Sequence, residues 1–358
     1  MSLPSAADAT RWLRRNLFAG PWSTLLTLVM LALFVLVLPP FVRWAFLQAH
    51  LWGQNRQACS TGGACWAFVT ARAGTFIYGA YPVEQRWRPN LVFLLFLAFV
   101  IPAFRERIAG RGLWVLLLIT LFPVLAGVLL WGGVLGLPYV DTARWGGLMV
   151  NCVLAFVAVA GSLPLGILLA LGRRSTLPVV RGFCIAFIEL WRGVPLLTVI
   201  FMAAVMLPLF LPEGANLDRL IRAMLALTLF TAAYMAEVVR GGLQGIPKGQ
   251  PEAAYSLGLG YWQVQGLIVM PQALRMVLPA IVNTVIDLFK DTTLVAIVGI
   301  TDLLGVVGLA LRDQAWLGLA REGYLFAGLV FFLCCFVLSR FSARLERRMA
   351  VSHHRGHT

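Results

Sequence analysis

The sequence predicts an all-α, polytopic membrane bundle of about eight transmembrane helices, and three observations predict it. Hydrophobic residues fill 60% of the 358 positions, charged residues only 12%, and the mean hydropathy is +0.85. A soluble domain carries about 25% charged residues, so this chain cannot furnish an ordinary wetted surface. The apolar residues also come in membrane-length runs. Residues 23–42, 113–140 and 145–172 contain no charge, and a helix needs about 20 apolar residues to cross hydrocarbon. Finally, arginines gather in short clusters between the runs, as juxtamembrane charge does.

Eight spans follow from the pattern, at about 22–42, 89–104, 113–137, 146–172, 183–210, 217–239, 272–299 and 322–341. The N-terminal arginines, Arg105/Arg107/Arg111, Arg173/Arg174/Arg181 and the Arg340–Arg348 tail then share one side, which the positive-inside rule makes the cytoplasm. Both termini are expected there. The net charge of +14 might suggest nucleic acid, but only Lys248 and Lys290 are lysines and no continuous basic face on a soluble fold is present, so that class is excluded. The run after Arg11, Arg14 and Arg15 is too long for a signal h-region and ends in Pro39-Pro40-Phe41, so it is expected to remain as the first membrane helix.

The 43–88 connection fits this topology least well. It is read as external, yet holds Arg43, Arg56, Arg72, Arg86 and Arg88 against Glu84 alone. With Arg72 in its middle, 64–81 cannot span and is expected to be an interfacial amphipathic piece. Cys59 and Cys65 flank a polar, Gly-rich stretch there, and the sequence leaves a local disulfide and two free thiols equally open. No CxxC or HExxH pattern marks a metal site. His353, His354 and His357 are expected to be a solvated tail, not a metal site.

Composition divides the chain near 140. Residues 1–140 read as an accessory region of three apolar helices and an external loop, 141–345 as a core with charges inside its helices, and 346–358 as a tail. A charge in hydrocarbon costs about 2.5–3.5 kcal/mol on insertion scales, so the core is where function is sought. Its most informative segment is Gly241–Pro271, too rich in Gly and Pro to span. It reads as helix–turn–helix at the membrane face. Pro251 suits a first helical position, Glu252 the positive end of the helix dipole, and Ala253-Ala254 the helix body. Gly258 and Gly260 break it, and a second amphipathic helix carries Tyr261, Val264, Leu267 and Ile268 as far as Pro271.

Glu252-Ala253-Ala254, then Gly258, Ile268 and Pro271 at their spacings, resemble the EAA loop of ABC importer permeases. Glu189–Leu197 (ELWRGVPLL), Tyr234–Leu243 (YMAEVVRGGL) and Phe289–Leu294 (FKDTTL) are similar to signatures of the polar amino-acid (histidine/glutamine-type) permeases, and residues 1–140 resemble the extension of general L-amino acid transport permeases. The resemblance, over roughly 146–345, implies a five-helix type I importer core with a cytoplasmic coupling loop. It makes Glu252, Ala253, Ala254 and Gly258, with Ile268 and Pro271, the elements that dock on an ATPase subunit. It further implies two ATPase subunits that use ATP and Mg, a second permease half (expected to be a homologous heterodimer partner) and a periplasmic amino-acid-binding protein. No Walker A motif occurs, so the chain is expected to be no enzyme and to bind no cofactor.

Three charge groups stand inside the helices. Glu189/Arg192 and Glu237/Arg240 are spaced i,i+3, so each can form a self-neutralising pair, either structural or gating. Asp287, Lys290 and Asp291, with Asn283 and Thr284 one turn earlier, make a polar stripe. The stripe offers the donor and acceptor an amino-acid zwitterion needs, or else forms a buried interhelical network. Importers of other small polar solutes, membrane-embedded enzymes and structural anchors are the competing classes. No converging nucleophile, acid–base or metal set supports an enzyme, and an anchor would not need intramembrane charge.

Overall fold

The structure is a computed structural model describing residues 6–59, 62–105, 110–210, 212 and 217–355. Arg107 and His357, and the side chains of His353 and His354, lie outside that description. Every regular element among the described residues is helical: α1 (Ala6–Asn16), α2 (Pro21–Val42), α3 (Ala67–Tyr78), α4 (Trp87–Phe104), α5 (Arg111–Trp131), α6 (Gly147–Arg173), α7 (Pro178–Gly193), α8 (Leu196–Phe201), α9 (Arg219–Gln244), α10 (Gly249–Ser256), α11 (Tyr261–Gln263), α12 (Met270–Asp291), α13 (Leu303–Ala310) and α14 (Ala320–Arg355). Six helices are long and apolar enough to span, and the bent pair α7–α8 makes a seventh. The charged α12, 22 residues long, is not among these, so six or seven of the eight expected spans meet that criterion among the described residues.

Two spans differ from the sequence expectation. The run 183–210 is not one straight helix, because α7 and the helix after it meet at 102°. Gly193 ends α7, Val194 is extended (φ −105°, ψ 136°) and Pro195 caps α8. Proline disfavours helical geometry in the residue before it and lacks an N–H, so the ladder cannot cross Val194-Pro195. The run 272–299 is helical only to Asp291 and continues as 3₁₀ turns over Thr292–Val298 to Gly299, which is left-handed (φ 79°).

The chain packs as two compact units, Met1–Ala71 with Leu311–Glu322, and Arg72–Ala310 with Gly323–Thr358. This division does not coincide with the boundary drawn near 140. In the first unit α2 has no buried residue and is apolar on all sides, as a lipid-facing helix is. The chain beyond it closes on 311–322. Cys59 and Cys65 form a disulfide, Arg56 Nη1 donates to the Leu317 carbonyl (2.6 Å), and Phe68 packs on Trp316 (5.7 Å). The helix α3 is the ordered form of the piece expected to be interfacial.

In the second unit, α4 and α5 belong with the core they were separated from by composition. Phe96 and Phe122 both meet Phe156 of α6 edge-on (5.7 and 4.8 Å). The basic excess of 43–88 is also partly absorbed. Arg88 is fully buried and donates to the Pro138 carbonyl (2.8 Å), and Arg86 lies over Tyr78 (5.2 Å). The centre is α6 against α9, where small residues let backbones approach. A Cβ on Gly166 would stand 2.6 Å from the Met235 Cβ. α9 leads into the 245–260 loop, and Arg173 at the end of α6 reaches Glu237 near the same place (2.9 Å). At the far end Thr142 donates to Asp218, the N-cap of α9 (2.5 Å).

Candidate coupling loop and charged sites

The loop is built around a small apolar core. α10 starts at Gly249, so Pro251 sits inside the first turn, where its missing N–H costs nothing. Glu252 is exposed, and its carboxylate makes no ion pair or side-chain hydrogen bond among the described residues; Ala253 is exposed beside it. Ala254 is not, being 2% exposed in a cluster with Leu243, Val264, Val269 and Ala273, with Ile268 half-buried against it. Ala254 therefore packs into the loop's own core, while Glu252 and Ala253 face outward.

α10 ends in a Schellman cap. The Leu259 N–H reaches the Ala254 carbonyl (3.3 Å) and the Gly258 N–H the Tyr255 carbonyl (2.9 Å), with Gly258 at φ 81°. Gly258 is required because a side chain is strained there. The second helix also differs from expectation, since it does not stop at Pro271. α11, a π-turn over Val264–Val269 and α12 run without a break from Tyr261 to Asp291, roughly 45 Å at 1.5 Å per residue. The π-turn, with the Met270 N–H on the Gln265 carbonyl, admits Pro271 at the start of the following α-helix. Gln272 Nε2 ties the rod to α10 through Gln250 Oε1 (2.7 Å). Exposed Leu257, Trp262 and Leu267 belong to the same loop, leaving apolar surface open beside Glu252.

Near the loop, the two expected i,i+3 pairs become one node. Glu237 bonds Arg240 through Nε and Nη2 (3.0 and 2.7 Å) and also meets Arg173 (2.9 Å) and Arg192 (3.7 Å). Glu189 does not pair with Arg192; it pairs with Arg173 (3.1 Å), while Arg192 lies over Tyr234. Arg192, in the last turn of α7, and Arg173, at the end of α6, both reach α9, so one carboxylate serves three guanidinium groups. The polar stripe lies in the half of α12 distant from the loop. Lys290 Nζ and Asp287 Oδ1 are 2.8 Å apart, with side chains 55% and 69% exposed. Asn283 is exposed as well, and the Thr284 hydroxyl donates to the Ala280 carbonyl. This chain alone therefore does not bury the stripe in an interhelical network.

The helical bundle and the exposed loop have a counterpart among known proteins. Residues 162–351 match the family model described as binding-protein-dependent transport system inner membrane component. The chain belongs to that family. The permease is 50% identical over 348 residues to the inner membrane amino-acid ABC transporter permease protein YhdY of Escherichia coli strain K12, covering 96% of this chain and 95% of that one. It is 38% identical over 420 residues to the glutamate/glutamine/aspartate/asparagine transport system permease protein BztC of Rhodobacter capsulatus, covering 98% and 95%. A crystal structure of an amino acid ABC transporter with histidines is similar at 28% identity and TM-score 0.50, covering 92% of that chain but 56% of this permease. The permease thus adds a large region to the solved core, a region shared with YhdY.

Two polar groups of the permease escaped the motif reading. Arg173 was counted only as an orientation charge, because its partners come from α7 and α9. Asn151, Thr292 and Asp302 form a fully buried cluster at the end distant from the loop. The available signal was Asn151 itself, the one amide in the uncharged run 145–172.

Proposed function

We propose that this permease imports amino acids, and that the work of ATP hydrolysis in partner subunits enters it at Glu252. The free carboxylate of Glu252, beside Ala253 on a short exposed helix joined to the Tyr261–Asp291 rod, is the observation that carries the reading. Such a helix suits a cleft in an ATPase subunit, and its apolar surroundings supply area to bury. The substrate class is supported by the amino-acid transport named for YhdY and BztC.

In this reading the loop end is cytoplasmic, with both termini on that side. The 43–88 connection is then outside, where an oxidising compartment sustains the Cys59–Cys65 disulfide. Two ATPase subunits hold ATP and Mg, while this chain binds no cofactor and performs no covalent chemistry. A homologous permease half covers the exposed face of α12, and a periplasmic binding protein delivers substrate. Asn283, Thr284, Asp287 and Lys290 line the path. A zwitterion can exchange the Asp287–Lys290 pair for two of its own, ammonium on the carboxylate and carboxylate on the ammonium. The Glu237 node, with Glu189, Arg173, Arg192 and Arg240, is the gate at the loop end. Closure of the ATPases displaces α10, and the rod carries the movement to the stripe.

Glu252→Lys tests the entry point. The variant is expected to insert and melt like the parent while losing ATPase copurification or amino-acid-stimulated hydrolysis. Retention of both would overturn the coupling role. Hydrolysis by the parent complex across a panel of amino acids, each with the binding protein, tests the substrate class.

A further inference from the structure

At the far end of the rod one amide joins α6 to the segments that follow α12. Asn151 of α6 donates from Nδ2 to Thr292 Oγ1 (2.9 Å) and to Asp302 Oδ2 (3.3 Å), and its Oδ1 accepts the Leu303 N–H (3.0 Å). The Thr292 hydroxyl donates to the Phe289 carbonyl in the last turn of α12 (2.7 Å), and Asp302 Oδ1 accepts the Gly305 N–H at the start of α13 (2.8 Å). A fourth strut runs along the backbone, from the Gly147 N–H to the Thr301 carbonyl (2.9 Å). All three side chains are 0% exposed. Burial pushes the Asp302 carboxyl above the usual carboxylate range, against the hydrogen bonds from Gly305 and Asn151 that lower it. Among the described residues, Asn151 is its only side-chain donor.

The position of this amide matters more than its burial. α6 is fixed at the loop end, where Arg173 joins the Glu237 node, and Asn151 lies near its other end. α12 is tied to α10 through Gln272 and meets α6 at the far end through Thr292. A displacement of α10 along the rod therefore works against Asn151. Past Thr292 the backbone is a 3₁₀ stretch ending at left-handed Gly299, a weaker helix than the rod it follows. The contact is also cooperative, because releasing the amide leaves a hydroxyl and a carboxylate buried without a side-chain donor.

We propose that Asn151 is the latch of α12, a positioning residue that holds the far end of the rod against α6, with Thr292 and Asp302 as its keepers, until loaded binding protein arrives. The latch rests on the importer reading above. It makes hydrolysis conditional on substrate, since the rod cannot complete its stroke while the amide is seated.

The test uses the full complex in lipid nanodiscs, with ATPase partners, the second permease half and the binding protein. Asn151→Ala is expected to raise hydrolysis in the absence of loaded binding protein by about tenfold, within the range of one allosteric coupling contact, and to abolish further stimulation. Ser162→Ala is the control, removing a fully buried hydroxyl of the same helix that, among the described residues, bonds only the Val159 carbonyl. It is expected to leave both rates unchanged. Exchanging the pair, Asn151→Asp with Asp302→Asn, restores an amide facing a carboxylate and should recover part of the substrate dependence lost in Asn151→Ala. If Asn151→Ala keeps the parental unstimulated rate, or if the exchanged pair recovers nothing, the latch is overturned. The unstimulated rate is read even if no amino acid stimulates the parent, an outcome that would sink the substrate class and not the latch.

Discussion

Glu237 on α9 and Asp287 on α12 start from the same sequence pattern, an acid three residues before a base on a membrane helix, and end in opposite circumstances. Glu237 is part-buried, and three arginines from three helices converge on it. Asp287 holds Lys290 alone on an exposed face. A third pair with that spacing, Glu189 and Arg192, does not form at all, each member turning to a residue of another helix. Spacing brings two side chains within reach. Which partner is taken depends on what other helices present to the same surface, and on how much water is left to compete.

The difference can be broken at its strongest point first. Glu237→Gln leaves Arg173, Arg192 and Arg240 facing one another without their shared carboxylate. Breaking such a part-buried cluster is expected to cost about 3 kcal/mol, read as a fall in the melting temperature of the detergent-solubilised permease. A melt within a degree of the parent would mean the node carries no stability. Glu189→Gln removes one half-exposed bond to Arg173 and should cost less than about 1 kcal/mol in the same assay. A loss as large as that of Glu237→Gln would show that the node has no centre. Asp287→Asn is expected to shift stability by no more than about 0.5 kcal/mol, the range of an exposed pair. It should nonetheless weaken the apparent affinity for the transported amino acid by about tenfold, as loss of one charge-assisted hydrogen bond would. A stability loss with transport unchanged would make the stripe a structural pair like those near the loop.

The loop shows where motif reading stopped short. Glu252, Ala253 and Ala254 are adjacent and look equivalent in sequence, yet successive helical residues point about 100° apart. Two face outward, while Ala254 closes the core with Val264 and Val269. Gly258 was legible as a breaker, and its left-handed backbone gives the reason. Pro271 was legible as a stop and is instead absorbed by a π-turn, so the loop and α12 are one rod. Arg173 and Asp302 were invisible as site residues because their partners lie on other helices, from 16 to 151 residues away.

Composition and run length alone dictated that this chain is a membrane bundle, because uncharged apolar runs of about 20 residues are too long for a soluble core and satisfy their own backbone in hydrocarbon as helices. The spacing of Glu252, Gly258 and Pro271 marked the candidate coupling loop, since local backbone chemistry is written in local sequence. The bend at Val194-Pro195, the gathering of three arginines on Glu237 and the seating of Asn151 between Thr292 and Asp302 came from packing. Each joins helices far apart in the chain, and close approach of α6 and α9 through residues such as Gly166 brings their polar side chains to common neighbours. Such contacts depend on helix azimuth and tilt, which no periodicity along a single helix specifies.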